Sequence, residues 1–569
     1  LVGHLVPPLA PAGHDDALAA LERLLQEERA ARVLDPEKLP LLRRQLLEAV
    51  RGAALDEDLG ALSESEEIDA YLTRLEHYLD DLSRATVRDG LHVLGKPPEG
   101  EQREHLLDAM VRLAPEPSRL ALRARLDGLL DRTSDEREAV LSALEGRYVP
   151  AGPSGSPSRG MWNVLPTGRN FYSVDPQAIP SPAAWETGRR LADALIERYC
   201  REHGRHPRTV GLVIWGTAAM RTHGDDVAQA LALLGVRPLW RPETGRVIGV
   251  EAVPLADLGR PRVDVTVHLS GFFRDAFPHL VDLLDRAVRL VAALDGEPEA
   301  DNPIAAHVRR DRPHLGAHAT ARLFGSKPGC YGAGLLPLIE SRHWETADDL
   351  ARAYEAWGAF AYGEGQDGAP ARDAFRARLG AVEVALKNQD NREHDLFDSD
   401  DYFQYHGGMI AAVRAIRGAL PAAYFGDSAD PRRPAVRSLH EEARRVFRTR
   451  VANPRWLAAM RRHGYKGAME LAATVDYLFG YDATAGVASD WMYETLARRY
   501  ALDPQQVAAF RRSNPWALHD VTARLLEAAS RGMWAEPRPE TLDALRRQYL
   551  SVEGDLEASP APALVASPG

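Results

Sequence analysis

Between Lys387 and Gly408 the chain reads KNQDNREHDLFDSDDYFQYHGG, which sets Asp390, Glu393, Asp395, Asp398, Asp400 and Asp401 beside His394 and His406. Carboxylate and imidazole can bind a divalent cation without thiols, and they can take protons from a substrate near neutral pH. A solvated acidic loop is the plain alternative. The aromatic residues, the amides and a Gly407-Gly408 turn argue instead for a loop packed into the protein. On that chemistry Glu393, His394 and His406 are the catalytic candidates, and His394, Asp398, Asp400, Asp401 and His406 the candidate metal ligands. Asn391 and Arg392 are candidates for substrate contact. At least one of the aspartates is expected to cap the helix that follows.

Further blocks run in order along the chain: LPTGRNFYSVDPQAIPSPAAW, VDVTVHLSGFFRDAFPHL, LFGSKPGCYGAGLLPLIE, then NQDNREHD with DSDDYFQYHGGM, RHGYKGAMELAATVDYLFGYDAT and DWMYE. From Leu165 to Glu494 they resemble the large subunits of the aerobic cobaltochelatase and magnesium chelatase family. The resemblance implies a tetrapyrrole-binding subunit of an ATP-dependent metal chelatase, a ligase forming nitrogen–metal bonds. NREHD and HGGM favour the cobalt branch, which inserts Co2+ into hydrogenobyrinic acid a,c-diamide in cobalamin biosynthesis. The alternatives are the magnesium branch acting on protoporphyrin IX and a non-catalytic tetrapyrrole scaffold. Without the resemblance, a metal-binding hydrolase also fits the residues. By the same resemblance, ATP and Mg2+ are bound by partner subunits, an AAA+ ATPase and its companion. Family members are longer and carry an upstream histidine- and glycine-rich segment not found here. With Leu1 in place of an initiator methionine, the chain is expected to correspond to their C-terminal half, with part of the active site elsewhere.

Metal insertion into a tetrapyrrole needs a base for the ring N–H groups, exchangeable ligands for the ion, and cations or amides for the ring carboxylates. For the last of these the segment LPTGRNFYSVDPQAIP offers Arg169 for bidentate anion recognition, Asn170 and Gln177 for amide contacts, and Phe171 and Tyr172 for stacking. An Arg169–Asp175 ion pair within a turn is the structural alternative. Lys327 in GSKPG and Arg274 in GFFRD are further substrate candidates, because glycine beside a cation lets a ligand approach the backbone. His463 and His223 each stand beside a glycine at a helix start, where a structural role is the simpler expectation.

The elements that must position these groups suggest a multidomain α and α/β protein. In residues 1–148, DDALAALERLLQEERAARVL and the amphipathic runs at 36–55, 62–85, 101–113 and 117–131 predict an N-terminal helical domain. Thr133 and Glu136 have the spacing of a capping box for a helix through Leu144. Residues 149–186 read as a Gly/Pro-rich connection, mobile at PAGPSGSPSRG, followed by an extended substrate-contact segment. Residues 187–330 read as a central α/β domain with parallel strands at TVGLVIWGT, RVIGVEAVPL and VDVTVHLSGF, whose ends at Trp215-Gly216-Thr217 and Ser270-Gly271-Phe272-Phe273 are where such sheets place ligands. Residues 331–550 read as a mostly helical region carrying the acidic block, and residues 551–569 as a disordered tail.

The 569 residues allow three or four domains. A net charge of -12 without a basic, aromatic block argues against a nucleic-acid partner. Cys200 and Cys330, far apart in sequence, make neither a disulfide framework nor a thiolate metal site. No apolar run is long enough to span a membrane, so the expectation is a cytoplasmic protein with no membrane partner. GEGQDG at 363–368 matches a dinucleotide fingerprint by letter but follows a helical pattern and precedes Pro370, and no P-loop spacing occurs.

Overall fold

The computed structural model describes residues 6–62, 67–170 and 174–558. In the N-terminal part, the helices Asp16–Leu34, Leu39–Gly52 and Ile68–Arg84 bury leucines at helical spacing. Leu18, Leu21, Leu25, Leu46, Leu75 and Leu79 meet in a core drawn only from residues 18–82. The chain then pairs β1 (Leu9–Pro11) antiparallel with β2 (Thr86–Arg88). The predicted box at Thr133 does not form, because its hydroxyl donates to Leu130 O within a 3-10 turn. Glu136 is buried and accepts from the Gly95 N–H.

PAGPSGSPSRG is not a mobile linker. Ser154, Ser156, Ser158 and Arg159 are all buried. The segment is a strap held down by polar side chains, and its small residues allow it to lie inside. Phe171 and Tyr172 lie outside the described residues.

The centre is an eight-stranded sheet. Its strands are β3 (Thr209–Ile214), β6 (Asp264–Leu269), β7 (Leu323–Gly325), β8 (Phe360–Gly363), β9 (Gln366–Pro370), β10 (Val384–Gln389), β11 (Ala422–Asp427) and β12 (Ala435–Ser438), in the order β12-β11-β10-β3-β6-β7-β8-β9. The block β11-β10-β3-β6-β7 is parallel, with antiparallel β12 at one edge and the β8–β9 hairpin at the other. Side chains alternate across it: Val213, Ala385 and Phe425 join one core, while Leu212, Ile214, Leu386 and Tyr424 join the other. A sheet covered on both faces needs such continuous apolar runs. The predicted strand RVIGVEAVPL stays outside it, as β4 (Val236–Trp240) and β5 (Val247–Ala252) form a separate antiparallel ribbon.

The α/β unit therefore does not end at residue 330. β8 to β12 come from the region expected to be mostly helical: β8, β9 and β12 are short strands at or beside the sheet edges with weak periodicity, whereas β10 and β11 are interior strands paired on both sides. Lys387-Asn388-Gln389 is not loop but the buried end of β10. Gly407 and Gly408 form no turn. They lie in helical conformation where a side chain would collide with Thr484 and with Tyr354. From Leu439 onward the chain is helical, and the last helix runs Pro539–Ala558, so residues 551–558 are ordered helix with Val552 buried against the core.

Candidate active site

β3 leads on through a crossover to β6 on one side, while β10 enters on the other, so the carboxyl ends of the three strands diverge around a crevice. A cavity of about 360 Å3 lies there. Its walls come from Trp215-Gly216-Thr217 after β3, Ser270-Gly271-Phe272 after β6, Gln389 at the end of β10, and His394 to Tyr405 beyond it. Tyr331 and Gly332 of the loop after β7 close one side, and Arg221 stands among the walls.

His394 lines the wall of this cleft. Its backbone N–H donates to Asn391 Oδ1 at 3.1 Å, which sets the direction of the turn. The protein packed around the imidazole, then the Arg88 and Arg221 cations, push its pKa down to about 4. The ring is therefore neutral at pH 7, the form that binds a metal. Asp401 is the second titratable group on the wall whose carboxylate has no protein donor among the described residues. Burial, and next the neighbouring Asp400, push its pKa up to about 6, against the opposing Lys387 charge.

Asp398 also reaches the wall, but it is an ion-pair partner. Arg88 contacts Oδ1, Arg450 lies 3.4 Å away, and Oδ2 accepts the Asp395 N–H at 2.9 Å. Arg450 also binds Asp395 at 2.8 Å, and the two guanidiniums lie 4.9 and 5.0 Å from the Trp456 ring. Asp400 Oδ2 accepts from Gln404 at 2.6 Å, a helical i,i+4 contact. The expected five-residue metal set is therefore not assembled. Among the described residues no three His, Cys, Asp or Glu side chains converge as a metal site.

His406 lies in the core. Its Nδ1 meets Tyr481 OH at 2.9 Å and Nε2 meets Ala385 O at 3.1 Å, while burial pushes its pKa down to about 4. The helical path from Tyr402 to Gly407 turns it away from the cleft that Tyr402 and Tyr405 line. Glu393 likewise faces the protein, 4% exposed, where Oε1 accepts from Ser156 and, at 2.8 Å, from Ser158 of the strap.

The other substrate candidates are distributed differently again. Arg392 is held by Asp427 and, at 3.2 Å, by Glu442. Arg169 donates to Pro166 O and Asn163 O at 3.1 and 2.7 Å, and Asp175 pairs with Arg246, so neither a free anion clamp nor the Arg169–Asp175 pair is present. The Asn170 backbone bridges Pro150 and Gly152, and Gln177 is exposed on a short turn, away from the walls. Lys327 is exposed on the loop that carries Tyr331. His463 Nε2 accepts the Leu91 N–H at 2.9 Å, a structural role. Tyr172 is outside the described residues.

Arg221, Arg159 and Asp225 had no signal in sequence, and Asp390 and Lys387 were visible only as members of the acidic block. Arg221 forms a bidentate pair with Asp390, at 2.9 and 2.8 Å, beneath the cleft. Burial opposes ionisation of Asp390, yet Arg221 holds its carboxyl well below the usual range. Lys387, fully buried, sets its ammonium 4.1 Å from the Trp215 ring, and burial lowers its pKa. Arg159 of the strap pairs with Asp225, whose pKa burial lifts to about 7 against that cation. Adjacent glycine, threonine and aspartate in MRTHGDD marked a helix start, but nothing local shows that Arg221 faces a cleft.

A larger cavity, about 420 Å3, separates the N-terminal helices from the C-terminal ones, but it contains none of the candidate residues. Its arginines are ion-paired: Arg448 to Asp58, Arg499 to Asp15, and Arg498 and Arg538 to Glu494.

The family model described as CobN/Magnesium Chelatase matches residues 1–125 and 115–541. The aerobic cobaltochelatase CobN protein of Pseudomonas aeruginosa is 44% identical over 97% of this chain and 52% of that protein. A magnesium-chelatase protein of Rhodobacter capsulatus is 34% identical over 98% of this chain and 45% of that protein. The solved catalytic subunit of cobaltochelatase from Mycobacterium tuberculosis superposes with a TM-score of 0.92 at 51% identity, covering 98% of this chain and 53% of that one. The chain thus spans about half the length of the curated relatives it matches.

Proposed function

The chain belongs to the CobN/magnesium chelatase family, and we propose that its cleft is the metal-insertion site of a cobaltochelatase large subunit. The substrate metal is Co2+ and the ring is hydrogenobyrinic acid a,c-diamide, a step of cobalamin biosynthesis. The observation that carries this reading is the pairing, on one aromatic-walled cleft, of a neutral imidazole at His394 with the unpaired carboxylate of Asp401.

Chelation exchanges ring protons for a cation. A neutral imidazole and a carboxylate are weak, exchangeable nitrogen and oxygen ligands that suit a divalent ion without trapping it as thiolates would. Asp401, with a pKa near that of the medium, takes up a proton as the ring nitrogens release theirs. Arg221, fixed from below by Asp390, supplies positive charge toward ring carboxylates. Glu393 and His406 act from behind, one anchoring the turn to the strap and the other the helix to the core. ATP and Mg2+ belong to an AAA+ partner and its companion subunit in the cytoplasm.

The higher identity to the cobalt enzymes, 44% against 34%, favours the cobalt branch over magnesium and protoporphyrin IX. The test is a titration of the full chain with each ring, followed by quenching of its 10 tryptophans. Saturable quenching by the corrinoid is expected, with Co2+ insertion once the partner subunits and ATP are added. Binding of protoporphyrin IX alone would overturn the cobalt assignment, and ring binding without insertion by the reconstituted complex would leave a scaffold.

A further inference from the structure

Tyr331 is 62% exposed, yet it is held at several points. Its hydroxyl donates to Asp275 Oδ2 at 2.7 Å. Asp275 is itself gripped by Arg274, through Nε at 2.6 Å and a second nitrogen at 3.0 Å. The same guanidinium lies 5.7 Å from the Tyr331 ring centroid and donates to Ser326 O, Lys327 O and Cys330 O at 3.0, 3.1 and 3.3 Å. One buried cation thus supports the ring and fixes the loop that carries it.

The backbone on either side is adapted to this position. A side chain at Gly271 would come within 2.6 Å of Tyr331 Cδ1, so the strand end must be glycine for the ring to lie across it. Gly329, Gly332 and Gly334 take positive φ values of 78°, 84° and 85°, which lets the loop fold back over the sheet. Most of this aromatic surface nevertheless stays open to water, and a preorganised ring binds a flat ligand at small entropic cost.

We propose that Tyr331 is the stacking platform on which the conjugated macrocycle rests at the mouth of the cleft, with Asp275 and Arg274 as its positioning residues. This inference rests on the functional reading above. The ring edge slides under Tyr331 and over Phe272, bringing its nitrogens toward His394 and Asp401. Tyr331 touches the ring and not the metal, so it governs occupancy and leaves the insertion step unchanged.

The experiment compares the full chain with Tyr331→Ala, Tyr331→Phe and Asp275→Asn, measuring the dissociation constants of hydrogenobyrinic acid a,c-diamide and protoporphyrin IX by tryptophan quenching. Tyr331→Ala is expected to weaken binding about 5- to 10-fold. Tyr331→Phe should stay within about twofold, because the face is retained, and Asp275→Asn should fall between them. In the reconstituted complex Tyr331→Ala should raise KM for the ring and preserve kcat, with the melting temperature unchanged. Unaltered affinity in Tyr331→Ala, with the wild-type chain binding either ring, overturns the platform alone. Failure of the wild-type chain to bind either ring overturns the functional reading, and the platform with it.

Discussion

Arg88 and Asp398 stand 310 positions apart in sequence and form a buried ion pair at the back of the cleft. Arg88 ends β2, the strand that follows the N-terminal helices, so this unit completes the surroundings of His394. Removing one partner of such a pair leaves a buried charge uncompensated. Arg88→Ala should therefore lower stability by about 3 kcal/mol. The double variant Arg88→Ala with Asp398→Asn should cost less than the sum of the single changes, as measured by urea unfolding. Additive losses would mean that the two side chains act independently.

His394→Ala and Asp401→Asn should each reduce Co2+ insertion by about 100-fold in the reconstituted complex, the scale on which a general base or a metal-transferring ligand acts. Ring affinity should change by less than about threefold, since neither side chain provides a flat contact surface. Insertion at the wild-type rate in either variant would remove that residue from the mechanism.

The pH dependence follows from Asp401. Its carboxyl, with a folded pKa of about 6, is protonated in acid and free to accept a proton or an ion above it. Insertion should therefore rise with pH through about 6, and Asp401→Asn should abolish this limb. His394, down at about 4, stays neutral from pH 5 to 8 and adds no second limb there.

The same shift has a stability consequence of opposite sign to the usual carboxylate. Because the folded pKa lies above the unfolded one, the favourable contribution of Asp401 is complete below the unfolded value near 3.8 and is lost as pH rises through about 6. Asp401→Asn should stabilise the protein at pH 8 by on the order of 1 kcal/mol and have little effect at pH 4. Equal melting temperatures at pH 8 would show that the carboxylate is not strained there.

His406 and Glu393 should behave differently from His394. His406→Ala removes a fully buried ring bonded at both nitrogens and should cost about 2–4 kcal/mol. Glu393→Gln should loosen the strap, with faster proteolysis after Arg159 as the readout. If Glu393→Gln abolished insertion with the strap still protected, Glu393 would be a direct participant and the strap contact only one of its positions.

Strong local patterns made much of the fold legible. TVGLVI and VDVTVHL suited buried parallel strands and form them. Short strands such as Phe360–Gly363 and Ala435–Ser438 carried too little periodicity, so the sheet looked smaller than it is. Small polar residues misled in the strap, where composition signals a linker unless something distant binds them, as Glu393 and Asp225 do here.

Residue types by themselves pointed to the acidic, histidine-containing block and to the strand ends at Trp215 and Ser270 as separate places for chemistry, and the fold sets residues of both around one cleft. Only the tertiary structure decided which members of the block are available. His394 and Asp401 face the cleft, while Asp398, Glu393, Arg392 and His406 are committed to Arg88, Ser158, Asp427 and Tyr481. The reason is physical: a charged or polar side chain is reactive only where no other group satisfies it, and its satisfying partners here come from segments tens to hundreds of residues away.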